Sequence, residues 1–570
     1  MPHTYSTSAG RRRAATPQSE PIPGREADQA VNSAGGYSFT IGDWPRLRRF
    51  LILGSEAGTY YATAPTLTRQ NATCAERCIQ QDGKRAVDLV VEISDLGLAP
   101  RNTPALFVLA MALALGDEET RRHAMQAVPK VARTGTHAMQ FAEFVQAFRG
   151  WGSIARKAMR GWFYAQRTKD LAFQAIKYGQ RDGWALRDLM RLSHPVVHNP
   201  ENLARRALFS WIASPDQLRA GGRLPISEDY HLPDSEREFA SPPDQVLALL
   251  ELREIVERKG EGWKLHAIAL TRDHRLPREA LPSELLNQPE VWACLLENMP
   301  VTAMIRNLAK MTSVGLIAPM SDAVQVVVGR LGDPERLRRA RVHPYSVLLA
   351  GLAYRRGKGV RGKLEWSPVQ QVVDALDDAF YLSFRVIEPT GKRHYLGLDV
   401  SGSMEGAMIG DLISARMASC AMAMVTAAVE KQHHIAAFDT KMLDCSISPK
   451  MRLADVARLT AKLWRGGGTD CAQPMIDALA KRIPADVFVI YTDNETYAGP
   501  IHPVQALQRY RQVMGIPAKL AVVGMTSTGF WIADPADAAM LDLVGFDASA
   551  PAVLAEFAGG RPPQALGEED

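Results

Sequence analysis

His394-Tyr395-Leu396-Gly397-Leu398-Asp399-Val400-Ser401-Gly402-Ser403 decides how the last third of the chain folds. An apolar run of strand length stops at a carboxylate and two hydroxyls, and a helical segment, Ile409 to Glu430, follows. His434 to Phe438, Asp486 to Thr492 and Lys519 to Val523 repeat the short apolar run, and Pro503 to Met514 supplies another helix. Strands alternating with helices predict a doubly wound, mostly parallel sheet. Ligands in such sheets sit beyond the carboxyl ends of the strands, where strand order reverses. Thr469, in Gly466-Gly467-Gly468-Thr469-Asp470, and Asp493, in Tyr491-Thr492-Asp493-Asn494, stand at comparable strand ends.

Asp399, Ser401, Ser403, Thr469 and Asp493 are hard oxygen donors, suited to Mg²⁺ or a similar divalent ion that keeps some of its water. Two carboxylates balance the ion's charge and leave a coordination position for an incoming carboxylate or phosphate. Asp-x-Ser-x-Ser alone reads equally well as a helix cap; the two later donors favour a metal site. Gly466 to Gly468 lack the Lys-Ser or Lys-Thr of a phosphate loop, which discounts nucleotide hydrolysis.

Upstream, from about Gly42 to Trp366, apolar residues recur at three- and four-residue spacing between short Pro- or Gly-containing turns. Arg85–Leu96, Pro104–Leu115, Glu119–Ala132, Met139–Phe148, Ala155–Gln166, Leu171–Tyr178, Trp184–Leu192, Pro243–Glu257 and Val301–Lys310 read as amphipathic helices, with almost no strand-like alternation between them. So many helices cannot share one bundle core, and stacked pairs of the HEAT type accommodate them better. At 570 residues the chain exceeds a single core in any case.

A hydrophobic fraction of 46% with 23% charged residues describes a folded protein. Even Pro104 to Gly116 is too short to span a membrane and runs into Asp117-Glu118-Glu119, so no membrane association is expected. Arg11-Arg12-Arg13 is not followed by an apolar segment, so residues 1–27 read as a disordered basic arm rather than an export signal, and residues 559–570 as a flexible tail. Six cysteines without a Cys-x-x-Cys pair fit a reducing, cytoplasmic setting; Cys74 and Cys78 read as buried thiols.

The net charge of +5 is too small to diagnose a polyanionic partner, but its distribution is informative. Residues 151–210 hold eleven Lys or Arg against four acids, a larger surplus than that of the whole chain. Lys177 and Arg181, four apart, are expected on one helix face, with Asp182-Gly183 as a break and Arg187 and Arg191 on a second helix that ends near His194-Pro195. With Tyr178 and Trp184 alongside, these groups could grip phosphates and stack on bases. A solvated helix face with both aromatics in the core is the plainer alternative.

Lys177-Tyr178-Gly179-Gln180-Arg181-Asp182-Gly183-Trp184 resembles the Ro autoantigen (TROVE-domain) family, as do Val31 to Phe39, Arg46 to Leu51, Gly58 to Tyr61, Met299-Pro300, Arg306 to Leu308, Glu388 to Arg393, Gly467 to Cys471 and Thr492 to Thr496. The Asp399, Ser401, Ser403, Thr469 and Asp493 pattern is similar to the metal-ion-dependent adhesion site of von Willebrand factor A domains. The resemblance implies an all-α HEAT-like ring over residues 28–393 and an α/β doubly wound A-like domain over residues 394–558. It also implies a small noncoding Y-type RNA on the outside of the ring, contacted by Lys177, Arg181 and His194. Misfolded or precursor structured RNA would enter the central hole by a single-stranded end, with an exoribonuclease as protein partner and a monomeric protein in the RNA complex. A metal-dependent module that captures an acidic group of a partner is the competing class. A nuclease or phosphatase lacks an evident nucleophile or paired base beside the ion.

Overall fold

In the computed structural model, residues 15–559 are described except 41, 54–71, 96–98, 100–101, 182, 198, 200–201, 218–221, 226–238, 341, 360–361, 407, 410–411, 444, 464–466, 494, 526–529 and 545–549. The Gly58–Tyr61 hallmark, Gly466 and the tail beyond residue 559 lie outside the described residues.

The first region is helical, and its helices follow the expected apolar periodicity closely: Thr103–Leu115, Glu118–Val131, Gly135–Phe148, Ser153–Ala165, Thr168–Lys177, Asp244–Arg258 and Val301–Ser313. Thr103–Leu115 is apolar all round, and Pro104 through Ala114 are all buried. A helix without a polar face has to be surrounded; here its neighbours are Thr73–Asp95, Glu118–Val131 and Gly135–Phe148. It stops at Gly116, where Asp117 caps the next helix by accepting from the Thr120 amide.

No single core holds these helices. One cluster runs from Leu47 to Leu249, a second from Ala248 to Val291, and a third from Trp292 to Phe384. The first cluster also contains Val553, with Leu541 and Leu543 packed against it, and the third merges with Leu396, Met422, Val489 and Val523. Both ends of the helical array therefore rest on the C-terminal domain, and the array closes into a ring.

That C-terminal domain is a six-stranded sheet in the order Met442–Leu443, His433–Phe438, His394–Asp399, Val487–Thr492, Lys519–Gly524, Met540–Val544. All neighbours are parallel except the first pair. Side chains alternate cleanly: Leu396, Leu398, Val487, Val489, Ala521 and Val523 face the core shared with the ring, while Tyr395, Phe488, Ile490, Leu520 and Val522 face the opposite layer. With both faces covered, the strands read as continuous apolar runs, which is why they were visible in the sequence. The chain passes from the central His394–Asp399 strand outward on one side and returns on the other at Val487–Thr492, which places the switch point between these two strands.

Three expectations are corrected. The arm does not extend to residue 27: from Thr16 on, the chain is packed on the A-like domain, with Thr16 and Gln18 buried and Phe39 bonded to Trp531 in both directions. The helix expected over Ile409–Glu430 begins only at Ala415, capped by Ser414, after a small hairpin of Met408–Ile409 and Ile413–Ser414. Short antiparallel pairs also interrupt the helical region at Gln29–Phe39, Gln180–Ala185 and Leu224–Ala240. None of the six cysteines is in a disulfide, and Cys74 and Cys78 are buried. Among the described residues no helix is long and apolar enough to cross a membrane.

Candidate functional sites

Asp399 is the last residue of the central strand and Asp493 follows the end of its neighbour, so the two carboxylates flank the switch point. Both are buried, at 1% and 7% exposure. One Asp399 oxygen accepts from the Ser401 amide at 2.8 Å and the other from the Thr492 hydroxyl at 2.7 Å. The Ser401 and Ser403 hydroxyls lie 3.2 Å apart, Ser401 buried and Ser403 at the surface. Thr469, buried, arrives on a separate loop; its carbonyl accepts from the amides of Tyr497 and Ala498, which ties it to the turn that follows Asp493. Asp399, Ser401 and Ser403 thus share one strand end, Asp493 adjoins them, and Thr469 is fastened to the Asp493 loop.

Burial, reinforced by the Asp493 carboxylate, pushes the Asp399 carboxyl up to about 7. Two carboxylates withdrawn from water repel one another unless a proton or a cation intervenes. The donor set, hard oxygens that include two buried carboxylates, fits a divalent cation.

The basic segment is built differently. The helix Thr168–Lys177 ends at Lys177, whose ammonium lies 5.4 Å from the rings of Phe173 and Tyr178. Arg181 is not on that helix: it belongs to a hairpin in which Gln180 pairs with Ala185 and Arg181 with Trp184. The expectation of one shared helix face fails because Arg181 lies beyond the end of that helix, on a strand paired with Trp184, and Gly183, at φ +81°, falls where the pair turns back. The Arg181 side chain lies outside the described residues.

The next helix is Leu186–Ser193, with Arg187 and Arg191 exposed. Arg187 stands 3.8 Å from Asp188, and Arg191 donates to the Ala213 carbonyl at 2.7 Å. His194 ends this helix in the left-handed region, φ 47°, its amide bonded to Met190 and its side chain exposed. Capping and exposure therefore coexist at this residue. Tyr178 and Trp184 are half-buried against the helical core rather than within it, Trp184 beside Trp151 and donating to Glu143. Other cations of the segment are also structural: Arg160 donates to the Ser193 carbonyl, and Arg205 to those of Gln166 and Phe163. Arg156, Lys157 and Lys169 remain exposed.

Sequence reasoning missed the residues that pin the two loops carrying Thr469 and Asp493. Gln18 donates to Asp470 and accepts from Thr496, and Asn32 donates to the Thr496 carbonyl. These partners are more than 450 residues away along the chain, beyond any local pattern.

The comparisons with known proteins agree over both regions. A family profile described as the Ro60 vWA domain matches residues 393–558, and the TROVE domain matches residues 30–225 and 271–353. The RNA-binding protein RO60 of Deinococcus radiodurans is 38% identical over 549 residues, covering 96% of this chain and 97% of the relative. The protein of the same description from Caenorhabditis elegans is 34% identical over 585 residues, covering 94% and 90%. The crystal structure of the Deinococcus radiodurans RO (RSR) protein superposes with a TM-score of 0.74 at 36% identity, covering 91% of this chain and all of that one. A helical ring that closes on an A-like domain, matched at this identity across nearly its whole length, places the chain in the Ro60 family.

Proposed function

We propose that this chain is a non-catalytic RNA-binding scaffold. It holds a small noncoding Y-type RNA on the outer surface of the ring and takes single-stranded ends of misfolded or immature RNA into the central hole. In that role it assists cytoplasmic RNA quality control or ribosomal RNA maturation beside an exoribonuclease, as a monomer in the RNA complex. The observation that carries the reading is the similarity to two proteins described as RNA-binding, over nearly the full length of each. The exposed cations of residues 156–194 support it, because phosphate contacts dominate affinity for RNA. Lys177, Arg181 and His194 are the contacts, with Arg187 beside them and Arg191 at the edge.

The test is sequencing of the RNA that co-purifies from the native host at moderate salt, with wild type and a folded Lys177→Ala/Arg181→Ala/His194→Ala variant. Enrichment of one small stem-loop RNA with wild type, lost from the variant, supports the scaffold. Absence of RNA from both overturns it.

The buried carboxylates favour a second, compatible reading. Asp399, Ser401, Ser403, Thr469 and Asp493 would hold Mg²⁺, which when bound supplies a Lewis-acidic position for an acidic group of a protein partner. Ser401 and Thr492 orient the Asp399 oxygens for this. Mg²⁺-dependent co-purification of a protein, lost on Asp399→Ala, would favour this role over RNA scaffolding alone.

A further inference from the structure

We infer that the N-terminal strap, residues 16–39, is a positioning element of the candidate metal centre, so that cation binding and seating of the strap are one coupled event. The inference rests on the metal reading given above.

Two of the five donors are carried on loops, Asp493 just beyond the strand Val487–Thr492 and Thr469, contrary to the strand end expected for it, between the helices Leu453–Ala461 and Gln473–Ala480. Loops hold a geometry only as well as they are pinned. The pins come from the strap. Gln18 is fully buried, and its single amide group joins both loops: Nε2 donates to Asp470 at 2.6 Å and to the Ile501 carbonyl at 2.9 Å, while Oε1 accepts from the Thr496 hydroxyl at 2.6 Å. The same Thr496 hydroxyl accepts from the Cys471 amide. The Gln18 amide donates to the Gly499 carbonyl, and Asn32 Nδ2 to the Thr496 carbonyl. Asp470 adjoins Thr469, and Thr496 lies three residues beyond Asp493, so Gln18 reaches the loops of both donors, through Asp470 and Thr496, and Asn32 that of Asp493 through Thr496.

The fit leaves no slack. A Cβ on Gly36 of the strap would meet the Thr496 carbonyl at 2.2 Å, and one on Gly499 would meet Asp470 and Gln18 at 2.3 Å. Farther along, Arg25 clamps Asp534 through two bonds and Phe39 pairs with Trp531, so the strap is anchored apart from these loops as well. If cation binding favours the loop arrangement that the seated strap enforces, linkage requires a bound cation to favour the seated strap by the same factor.

The experiment uses the full-length protein and Mg²⁺ alone. Calorimetric titration compares wild type, Gln18→Ala/Asn32→Ala and Asp399→Ala, and amide exchange over residues 16–39 is followed in wild type as Mg²⁺ rises. The expected result is a Kd for Mg²⁺ weakened roughly tenfold or more in the double variant, the usual consequence of removing residues that orient ligands. In wild type, exchange of the strap should slow over the concentrations at which Mg²⁺ binds. Gly36→Ala, which unseats the strap without removing a polar group, should shift the Kd in the same direction. If wild type binds Mg²⁺ but the double variant stays within twofold and strap exchange ignores the ion, the strap is structural only and the inference is overturned. If wild type binds no Mg²⁺, the metal reading itself fails and takes the inference with it.

Discussion

The basic surface draws Lys177, Arg181, Arg187, Arg191 and His194 from one continuous stretch, residues 177–194, and leaves Arg187, Arg191 and His194 exposed to solvent. The candidate metal centre draws on Asp399, Ser401, Ser403, Thr469 and Asp493 from three segments between residues 399 and 493, and both of its carboxylates are buried. The contrast separates two kinds of site. Exposed cations are solvated whether or not a partner is present, so they can be removed with little effect on the fold. Buried carboxylates strain the protein that holds them until a counter-charge arrives.

The largest effect expected from this contrast is on RNA affinity. Lys177→Ala/Arg181→Ala/His194→Ala should weaken binding of the co-purified RNA about 10–100-fold in a filter-binding assay, with a shallower salt dependence. Mg²⁺ affinity should stay within twofold, and a matching loss of Mg²⁺ binding would break the separation. Next, Asp399→Ala should abolish Mg²⁺ binding by calorimetry while RNA affinity changes by less than about twofold, since the proposed RNA contacts lie on the ring. A collapse of RNA binding in a folded Asp399→Ala protein would show that the two regions work as one.

The two regions should also respond oppositely to pH. On the ring, burial pushes His343 down to about 4. The unfolded chain then binds the extra proton between about 6.5 and 4, so this contribution is complete above that window and is lost as pH falls through it. Asp399, pushed up to about 7, holds a proton that the unfolded chain has released above about 4. In the metal-free protein its contribution is therefore lost as pH rises from about 4 to 7. Amide exchange read separately in each region should show slopes on the order of 1–3 kcal/mol across these windows. His343→Gln should flatten the first and Asp399→Asn the second; Asp399→Asn leaving the slope unchanged would remove the argument for charge strain at the metal centre.

The smallest difference lies inside the basic surface. Arg191 is bonded to the Ala213 carbonyl, whereas Arg187 has only a long contact to Asp188. Arg191→Ala should lower thermal stability by about 1 kcal/mol with little effect on RNA, and Arg187→Ala should do the reverse, weakening RNA binding a few-fold. Equal effects of the two on RNA would place both guanidinium groups at the interface.

Much of this organisation was legible because it is local. The buried strands at 394–399, 487–492 and 519–524 and the helix Pro503–Met514 announce themselves by length and apolar content. Asp399, Ser401 and Ser403 are readable as a motif for the same reason. What escaped is either a competition between local signals or a purely distant contact. Asp182-Gly183 carries a hairpin signal, yet the charges flanking it at helical spacing drew the reading toward a helix face. Gln18 carries no local signal, because a buried glutamine gains its meaning from Asp470 and Thr496, and Asn32 stands in a stretch that resembles the family without telling what it bonds; the strands of the strap are only three residues long.

The strap has a consequence for the order of assembly. Synthesis proceeds from the N-terminus, so residues 16–39 emerge long before their docking surface on residues 470–534 exists. The helices that follow can pack on one another as they appear, since their contacts are mostly with near neighbours. Buried Gln18, by contrast, cannot reach Asp470, Thr496 or Ile501 until those residues have been made. The strap, synthesised before the helices of the ring, is thus seated only after them, and the ring cannot close before the C-terminal domain has folded.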